Sequence, residues 1–230
     1  MTGDTVADDN LAGLLLLADG RLPTGGHAHS GGIEEAVGTG RVRDLPTLRR
    51  YLVGRLATSG EVDAQFAAAA RQWVGAGADL VGGQQLDGEL AARTPSPALR
   101  RAVRTQGRGL CRAARRCWPS TALDVTAHLH PDGPLWPIAL GAAAGAAGVT
   151  ERGAALVARW AAVTGPAWAA VRLLGLDPMA VAAVVAELTA ELGGRPVHDA
   201  APADLTALGA PLVEIGAEHH AGWEVRLFAS

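Results

Sequence analysis

The first residues of this chain that could carry chemistry lie in the segment RLPTGGHAHSGGIEEA, from Arg21 to Ala36. Within it, Ser30 stands in the string AHSGG, which resembles a loosened form of the G-x-S-x-G nucleophile elbow of serine hydrolases. That motif requires a strand directly before the serine. The residues before Ser30 instead form a loop rich in glycine and proline that follows a predicted helix, and this context argues against a hydrolase.

The histidines indicate a second kind of chemistry, which is metal binding. His27 and His29 form one H-x-H pair, and His128 and His130 form another. A closed metal site usually has three or four ligands with supporting hydrogen bonds, so a pair of imidazoles is a weak signal. We therefore expect no metal site and no tightly bound cofactor in the isolated chain.

A third interpretation of the same segment is structural. Gly25 and Gly26 allow a sharp backbone turn, and Pro23 stiffens the chain that leads into it. Ser30 is a candidate N-cap for the helix that follows, and Glu34 suits the positive end of that helix dipole. This interpretation explains much of the composition without any catalytic or metal chemistry.

A further charged feature is a stripe of arginines on a predicted helix from Pro97 to Trp118. Spacing of four residues places side chains on one helix face. The face is either solvated and paired with acids of neighbouring helices, or a surface for an acidic protein or a phosphate-bearing partner. Nucleic acid is disfavoured, because one short stripe on a chain of net charge −3 is not the usual footprint. The stripe comprises Arg100, Arg104, Arg108 and Arg112, joined by Arg101, Arg115 and Arg116.

The composition predicts the elements that must position these residues. Apolar residues make up 49% of the 230 residues but aromatic residues only 4%, so alanine, leucine and valine must supply most of the packing. Alanine and leucine favour helices, and the period-two alternation of strands is scarce. We expect an all-α fold with about eight to ten helices, in a single compact domain that covers residues 1–230, with residues 1–8 flexible.

The apolar periodicity and the capping residues give approximate helix bounds. Pro166 is expected to break one helix from the next, and Pro119–Pro134 is expected to be a loop. Small residues at Gly141, Gly145 and Gly148 permit close helix approach, either within the domain or at a dimer seam. The predicted helices are Asp8–Asp19, Ser30–Gly38, Asp44–Gly60, Val62–Val81, Pro97–Trp118, Trp136–Val149, Glu151–Val163, Ala167–Leu174, Pro178–Leu192 and Ala203–His219.

Several function classes are excluded by residue usage. All 20 basic residues are arginine, so a Walker A loop, a lysine Schiff base and a lysine general base are excluded. The N-terminus lacks the positive charge of a secretory signal, and the apolar run Leu11–Ala18 is too short to span a bilayer. Cys111 and Cys117 lie six residues apart in one predicted helix, which is poor geometry for a disulfide. A cytoplasmic location without a membrane partner is the simplest expectation.

The string LADGRLPTGGHAHSGGIEEAV closely resembles the opening signature of the UreF family of urease accessory proteins. One departure is His27, where that family usually has phenylalanine or tyrosine. The segment ARTPSPALRRAVRTQGRGL resembles a middle portion of the same family more loosely. The matching positions of the opening signature are Leu22, Pro23, Gly25, Gly26, His29, Ser30, Gly32, Ile33 and Glu34.

The C-terminal string GAEHHAGWEVRLFAS is similar to the end of UreF proteins. Glu218 and His220 replace the usual arginine and glutamate, and Ala229 stands where many relatives have arginine. An exposed Leu-Phe pair at a chain end is costly to leave in water, so the tail should dock on a surface. That surface is either the chain's own domain or a partner. The matching positions are His219, Arg226, Leu227, Phe228 and Ser230.

The resemblance implies a non-catalytic scaffold, active as a homodimer, in maturation of the nickel centre of urease. Its partners would be UreD (also called UreH), the GTPase UreG and the urease apoprotein subunits UreA, UreB and UreC. Nickel would be handled by the complex. A generic helical adaptor and a nickel metallochaperone acting through the histidine pairs are the alternatives.

The resemblance also implies roles for individual residues. Residues 220–230 would become ordered on UreD/UreH. Arg226, Leu227 and Phe228 would carry partner docking, with His219 supporting the tail. The surface near the UreG contact would be shaped by the opening-signature residues Pro23, Gly25, Gly26, Ser30 and Glu34.

Overall fold

The computed structural model describes residues 10–24, 29–190 and 192–228, and over these residues every regular element is helical. The all-α prediction is confirmed. Two short 3₁₀ turns lie at Leu192–Gly194 and Pro202–Asp204. The described residues form eleven α-helices: α1 (Leu11–Ala18), α2 (Ile33–Gly38), α3 (Leu45–Ala57), α4 (Ser59–Gly75), α5 (Leu80–Ala92), α6 (Pro97–Cys117), α7 (Thr121–Ala127), α8 (Trp136–Ala146), α9 (Glu151–Leu174), α10 (Pro178–Thr189) and α11 (Pro211–Ala221).

Short polar side chains begin most of these helices. In each case a side-chain oxygen accepts a hydrogen bond from a backbone N–H of the first turn, a group that has no partner within the helix. At α3 the arrangement is a full capping box, in which Asp44 and Thr47 bond each other's backbone N–H. The caps of this kind are Asn10, Asp44, Asp79, Ser96, Ser120, Thr150 and Asp177.

Helices α4, α8 and α9 pack closely at the centre of the protein. The helices can approach this closely because alanine and glycine are small. A Cβ on Gly141 would lie 2.3 Å from the backbone oxygen of Ala67, and one on Gly145 would lie 2.7 Å from Val74. The prediction that the small residues serve packing within the domain is confirmed for these two glycines. Gly148 instead follows the end of α8, where its backbone adopts a left-handed conformation with a φ of 71°.

Two apolar clusters form the core, and α9 runs through both. The first cluster joins α1 and α4–α8 to the first half of α9, including Ala154 and Ala158. The second joins α2, α3 and α10 to the second half of α9, including Val163 and Ala167, and it takes in Phe228 from the tail. The α9 helix is long and apolar enough to cross a membrane, but most of it is buried inside this protein, as expected for a core helix.

The predicted helix break at Pro166 is wrong. Pro166 lies inside α9, which continues through it to Leu174. A proline removes one hydrogen bond and crowds the preceding turn, at a cost of about 3 kcal/mol. Val163 and Ala167 on either side are completely buried, so packing on both sides of the proline offsets that cost.

Other helix bounds also differ from the sequence prediction. Val62–Val81 was predicted as one helix, but α4 ends at Gly75 and α5 starts at Leu80 after a turn in which Gly77 and Ala78 both have positive φ. The predicted loop Pro119–Pro134 contains α7, and the last helix begins eight residues later than predicted, at Pro211. The expectation that residues 1–8 are flexible lies outside the described residues.

Candidate partner-binding site

The C-terminal tail of the chain returns to α2, where the Glu34 side chain holds it. One Glu34 oxygen accepts a hydrogen bond from the Leu227 N–H at 2.7 Å. The other accepts from the Phe228 N–H at 3.0 Å and bonds His220 Nε2 at 2.8 Å. Glu34 and His220 are both buried. Three hydrogen bonds to one desolvated carboxylate form a strong attachment, and we call Glu34, His220 and the 227–228 backbone the tail clamp.

The turn before α2 places Glu34. Gly31 and Gly32 adopt left-handed backbone conformations, with φ of 63° and 85°. The Tyr51 hydroxyl and the Arg55 guanidinium both donate to the Gly31 carbonyl, at 2.8 and 3.0 Å. Because a Cβ on Gly32 would lie 2.9 Å from the Tyr51 hydroxyl, this position has room only for glycine. The turn therefore fixes the start of α2 and the direction of its glutamates.

Ser30 is not the N-cap of α2, contrary to the sequence prediction. Gly32 occupies that position, and Ser30 Oγ instead accepts a hydrogen bond from the Glu34 N–H at 3.4 Å. Ser30 is completely buried, and no strand precedes it within the described residues. The context of a nucleophile elbow is therefore missing here.

A second pair of contacts surrounds the tail clamp. The Glu35 carboxylate pairs with the Arg41 guanidinium, and its other oxygen lies 3.2 Å from His219 Nδ1. The Trp223 ring packs against both His219 and His220, with centroid distances of 5.6 and 5.0 Å. The Glu35–His219 contact joins the end of α11 to α2, and the Trp223 ring packs against that same end of α11.

Phe228 is buried, and its ring lies 4.6 Å from the Arg172 guanidinium carbon. That distance is typical of a cation–π contact. Leu227, the neighbouring residue, is 76% exposed, and Arg226 is exposed as well. The clamp thus buries one of the three predicted docking residues and leaves the other two on the surface. Docking of Phe228 on the chain's own domain is the alternative that the structure shows.

Helix α11 is also anchored at the start of α6. Glu218 accepts hydrogen bonds from the Ser96 hydroxyl and from the Ala98 N–H, and Glu214 accepts from the Ser96 N–H at 2.7 Å. These bonds hold the pKa of the Glu218 carboxyl below its usual value. Glu218, which departs from the usual family pattern, thus satisfies the Ala98 N–H, a group that α6 itself leaves without a partner.

The outward face of α11 and the tail carry large apolar side chains. Leu212 and Ile215, three residues apart on the helix, are 63% and 66% exposed. Val225 in the tail is 81% exposed, and Leu227 follows it. We call these four side chains the apolar face. Exposed apolar side chains of this size are typical of protein interaction surfaces.

One further residue of the opening signature, Pro23, lies in a loop that approaches α6. Pro23 is exposed, in a loop whose next residue, Thr24, packs against Gly109 of α6. A Cβ on Gly109 would lie 2.1 Å from the Thr24 carbonyl oxygen, so glycine is required for this approach. Gly25 and Gly26 lie outside the described residues.

The arginines predicted as one stripe do not form one surface. Arg104 is buried, where it pairs with Asp87 at 2.7 Å and donates to the Gly133 carbonyl at 2.6 Å. Arg100 donates to the carbonyls of the loop that precedes α6. Arg108 and Arg112 are exposed. The stripe hypothesis is therefore wrong for Arg104, because four-residue spacing gives the helix face but not the loop that covers it.

The His128–His130 pair makes local hydrogen bonds in the described residues. His128 Nδ1 lies 2.7 Å from the Asp124 carbonyl, and His130 Nδ1 accepts from the Asp132 N–H. Among the described residues, no group of three or more His, Cys, Asp or Glu side chains could hold a metal ion. His27 lies outside the described residues.

Sequence reasoning missed several residues of this site. His220 had been noted only as a departure from the family pattern, yet it is the buried partner of Glu34. Glu35, Trp223 and Arg172 gave no sequence signal beyond their charge or size. The close fit of the Trp223 ring on Gly38, where a Cβ would lie 2.4 Å from the ring, is visible only in the structure.

Comparison with known proteins identifies the family. The sequence model of the UreF family matches residues 42–189. The chain is 47% identical over 226 residues to the urease accessory protein UreF of Mycolicibacterium vanbaalenii, covering 96% of this chain and 99% of that protein. It is 42% identical over 211 residues to the UreF of Mycobacterium tuberculosis H37Rv, covering 92% and 94%. With the two end motifs joined in one clamp, these matches show that the chain belongs to the UreF family of urease accessory proteins.

Proposed function

We propose that this chain is a non-catalytic scaffold in the maturation of the nickel metallocentre of urease. In this proposal it forms a complex with UreD/UreH and the urease apoprotein, built of UreA, UreB and UreC, and recruits and regulates the GTPase UreG. Nickel is handled by the complex. The chain works in the cytoplasm as a homodimer, without a nucleic-acid or membrane partner. Membership of the UreF family supports the proposal.

The observation that carries the proposal is the apolar face beside the tail clamp. Full burial of one leucine or isoleucine side chain contributes about 1.5–3 kcal/mol, so four side chains exposed by 63% to 81% offer a large gain to a partner that covers them. The clamp holds the backbone of Leu227 and Phe228 within the chain itself. Such preorganisation lowers the entropy lost on binding. The apolar face therefore suits a protein partner, and we assign it to UreD/UreH.

Binding of UreD/UreH to surface variants tests this assignment. We expect the Leu212→Ser, Ile215→Ser double variant to lose co-purification with UreD/UreH. The matched control is Val81→Ser, Met179→Ser, which removes two apolar side chains that are 74% and 77% exposed on other helices. Equal binding by both double variants would contradict the assignment.

Truncation tests the role of the tail. Deletion of residues 226–230 is expected to leave a folded protein, because the two core clusters are otherwise intact, but to abolish the ternary complex with UreD/UreH and UreG. Gel filtration of the mixed proteins measures this directly. A truncated chain that still elutes with both partners would contradict the role given to Arg226, Leu227 and Phe228.

A generic helical adaptor is the second candidate, because the same apolar face would serve any protein partner. A pulldown from cells that express a complete urease operon separates the two. Urease components in the pulldown support the scaffold, and a different dominant partner supports the adaptor. The metallochaperone alternative requires submicromolar stoichiometric nickel binding that is lost in a His27→Ala, His29→Ala variant, and we expect no such binding.

A further inference from the structure

A cavity between the C-terminal end of α6 and the start of α7 has arginine at three of its six lining positions. Its volume is about 470 Å³, which lies within the range of small-molecule sites. It lies outside the tail clamp and the apolar face, and the proposed function does not use it. The lining residues are Arg112, Arg115, Arg116, Pro119, Ser120 and Asp124.

The cavity has positive charge that the protein leaves uncompensated. Arg115 pairs with Asp124 at 2.6 Å. Arg112 and Arg116 are exposed, and neither forms an ion pair or a side-chain hydrogen bond with any residue in the described part of the chain. Two free guanidinium groups therefore face one cavity in a protein whose net charge is −3.

A smaller cavity of about 120 Å³ continues this surface. Arg112 and Arg115 line both cavities, and Arg108 also lines the smaller one. The aliphatic part of the Arg108 side chain packs closely over Gly133. A Cβ added to Gly133 would lie 2.0 Å from Arg108 Cγ. The glycine thus lets a fourth arginine lie along the same basic surface.

Helix stability alone does not explain these arginines. Cations at a helix C-terminus are stabilised by the helix dipole. Arg112 and Arg116 are four residues apart, however, and like charges at that spacing destabilise the helix to a similar extent. The two effects are of similar size, so the arrangement gains little for the folded state of the helix itself.

The groups available in the cavity are hydrogen-bond donors. A guanidinium has five N–H donors in a planar fork that matches the oxygens of a phosphate group. Ser120 Oγ accepts from the Leu123 N–H at 3.3 Å as the N-cap of α7, which leaves its hydroxyl hydrogen to donate. The one carboxylate, that of Asp124, is already paired with Arg115.

We propose that this cavity is a binding site for a small phosphate-bearing molecule, held by Arg112 and Arg116 with Ser120 as an additional donor. A small ligand is favoured over an acidic protein, because the free guanidinium groups line a concave cavity of small-molecule size. The site is independent of the proposed role in urease maturation, so its test needs none of the urease components.

Titration of the purified full-length chain with inorganic pyrophosphate, followed by calorimetry in chloride buffer, tests the site. We expect saturable binding of one pyrophosphate per chain. The Arg112→Gln, Arg116→Gln variant should bind at least tenfold more weakly. The matched control, Arg50→Gln, Arg101→Gln, removes two exposed arginines that also have no side-chain partner among the described residues, and it should bind as the unmodified chain does.

Chemical modification of the unmodified chain gives an independent readout. Pyrophosphate should protect Arg112 and Arg116 from phenylglyoxal, measured by mass spectrometry, while Arg50 stays reactive. No saturable binding, equal weakening in the two double variants, or equal protection of Arg50 would overturn the proposal. Binding of a polyglutamate peptide without binding of pyrophosphate would also overturn it, in favour of an acidic protein partner.

Discussion

The Glu34 carboxylate and the His220 imidazole lie 2.8 Å apart, although 186 residues separate them in the chain. Both side chains are buried, and the same carboxylate accepts the N–H groups of Leu227 and Phe228. The two end segments that resemble the UreF family are therefore parts of one structure. What holds the tail in place is a single glutamate of the opening signature.

Replacing Glu34 by glutamine should release the tail. The amide would present an NH₂ group to donors that now face a carboxylate, and hydrogen bonds to a charged group contribute about 1.5–3 kcal/mol each. We expect the Leu227 and Phe228 amides to exchange hydrogen at least tenfold faster and the unfolding free energy to fall by about 2 kcal/mol. Hydrogen exchange with mass spectrometry measures the first effect. Glu224→Gln, an exposed change in the same tail, is the control and should alter neither.

Substitution at Gly38 should disturb the packing of Trp223. A Cβ at Gly38 would lie 2.4 Å from the Trp223 ring, so Gly38→Ala must displace the ring and should destabilise the protein by about 1–3 kcal/mol. Gly88→Ala is the matched control, because nothing lies within 4 Å of a Cβ there. In the interior of α5 that change should stabilise by about 0.5–1 kcal/mol. Urea unfolding followed by tryptophan fluorescence should show a lower free energy of unfolding for Gly38→Ala and a higher one for Gly88→Ala. A change of the same sign in both variants would contradict the packing of Trp223 on Gly38.

Arg104 should behave as a structural residue. Arg104→Gln leaves Asp87 buried without its ion-pair partner, and breaking a buried pair costs about 3–5 kcal/mol. Asp87 also accepts the Leu135 N–H at 2.8 Å, so the loop before α8 should loosen as well. Arg101→Gln on the same helix is exposed and should change stability by less than about 0.5 kcal/mol. Equal urea midpoints for the two variants would argue against the buried pair.

Stability should depend on pH through Asp63. Burial raises the pKa of its carboxyl from 3.8 to about 6, against an opposing effect of Arg55. The folded protein therefore binds this proton more tightly than the unfolded chain. The resulting stabilisation is complete below pH 3.8 and is lost as the pH rises through about 6.

Asp63→Asn should accordingly stabilise the protein more at pH 7.5 than at pH 5. The expected gain at pH 7.5 is about 2 kcal/mol, or about 4–8 °C in Tm for a chain of this size. Thermal unfolding at the two pH values measures the difference. Asp204→Asn, an exposed substitution, should show no such pH dependence. A gain for Asp63→Asn that is equal at both pH values would rule out titration as its cause.

The sequence predicted well those helices that have both a cap and an apolar period. The expected Pro97–Trp118 helix ends within one residue of α6, and Asp44 caps α3 as its acidic start suggested. No helix was predicted for residues 82–96, where most of α5 lies. There Asp79 caps the first turn, and Gly83 packs against Trp73, at a Cβ distance of 2.7 Å. That contact joins two helices and has no trace in the local pattern.

The resemblance to the UreF family indicated which residues belong to the site but not which contacts they make. Glu34, Leu227 and Phe228 were all expected to bind partners, and the structure brings them together within the chain itself. His220 takes part in place of a residue that is usually glutamate, which no periodicity could have indicated. Burial of Arg104 was equally unpredictable, because it depends on the loop at Gly133 that covers α6.

The most direct test of the scaffold proposal is the activity and nickel content of urease expressed from a matched operon with and without this chain. We expect both to collapse without it and to return on complementation. We also expect the Leu212→Ser, Ile215→Ser variant to fail to restore them while Val81→Ser, Met179→Ser succeeds. Active, nickel-loaded urease formed equally well without the chain would rule out the scaffold role and favour the adaptor.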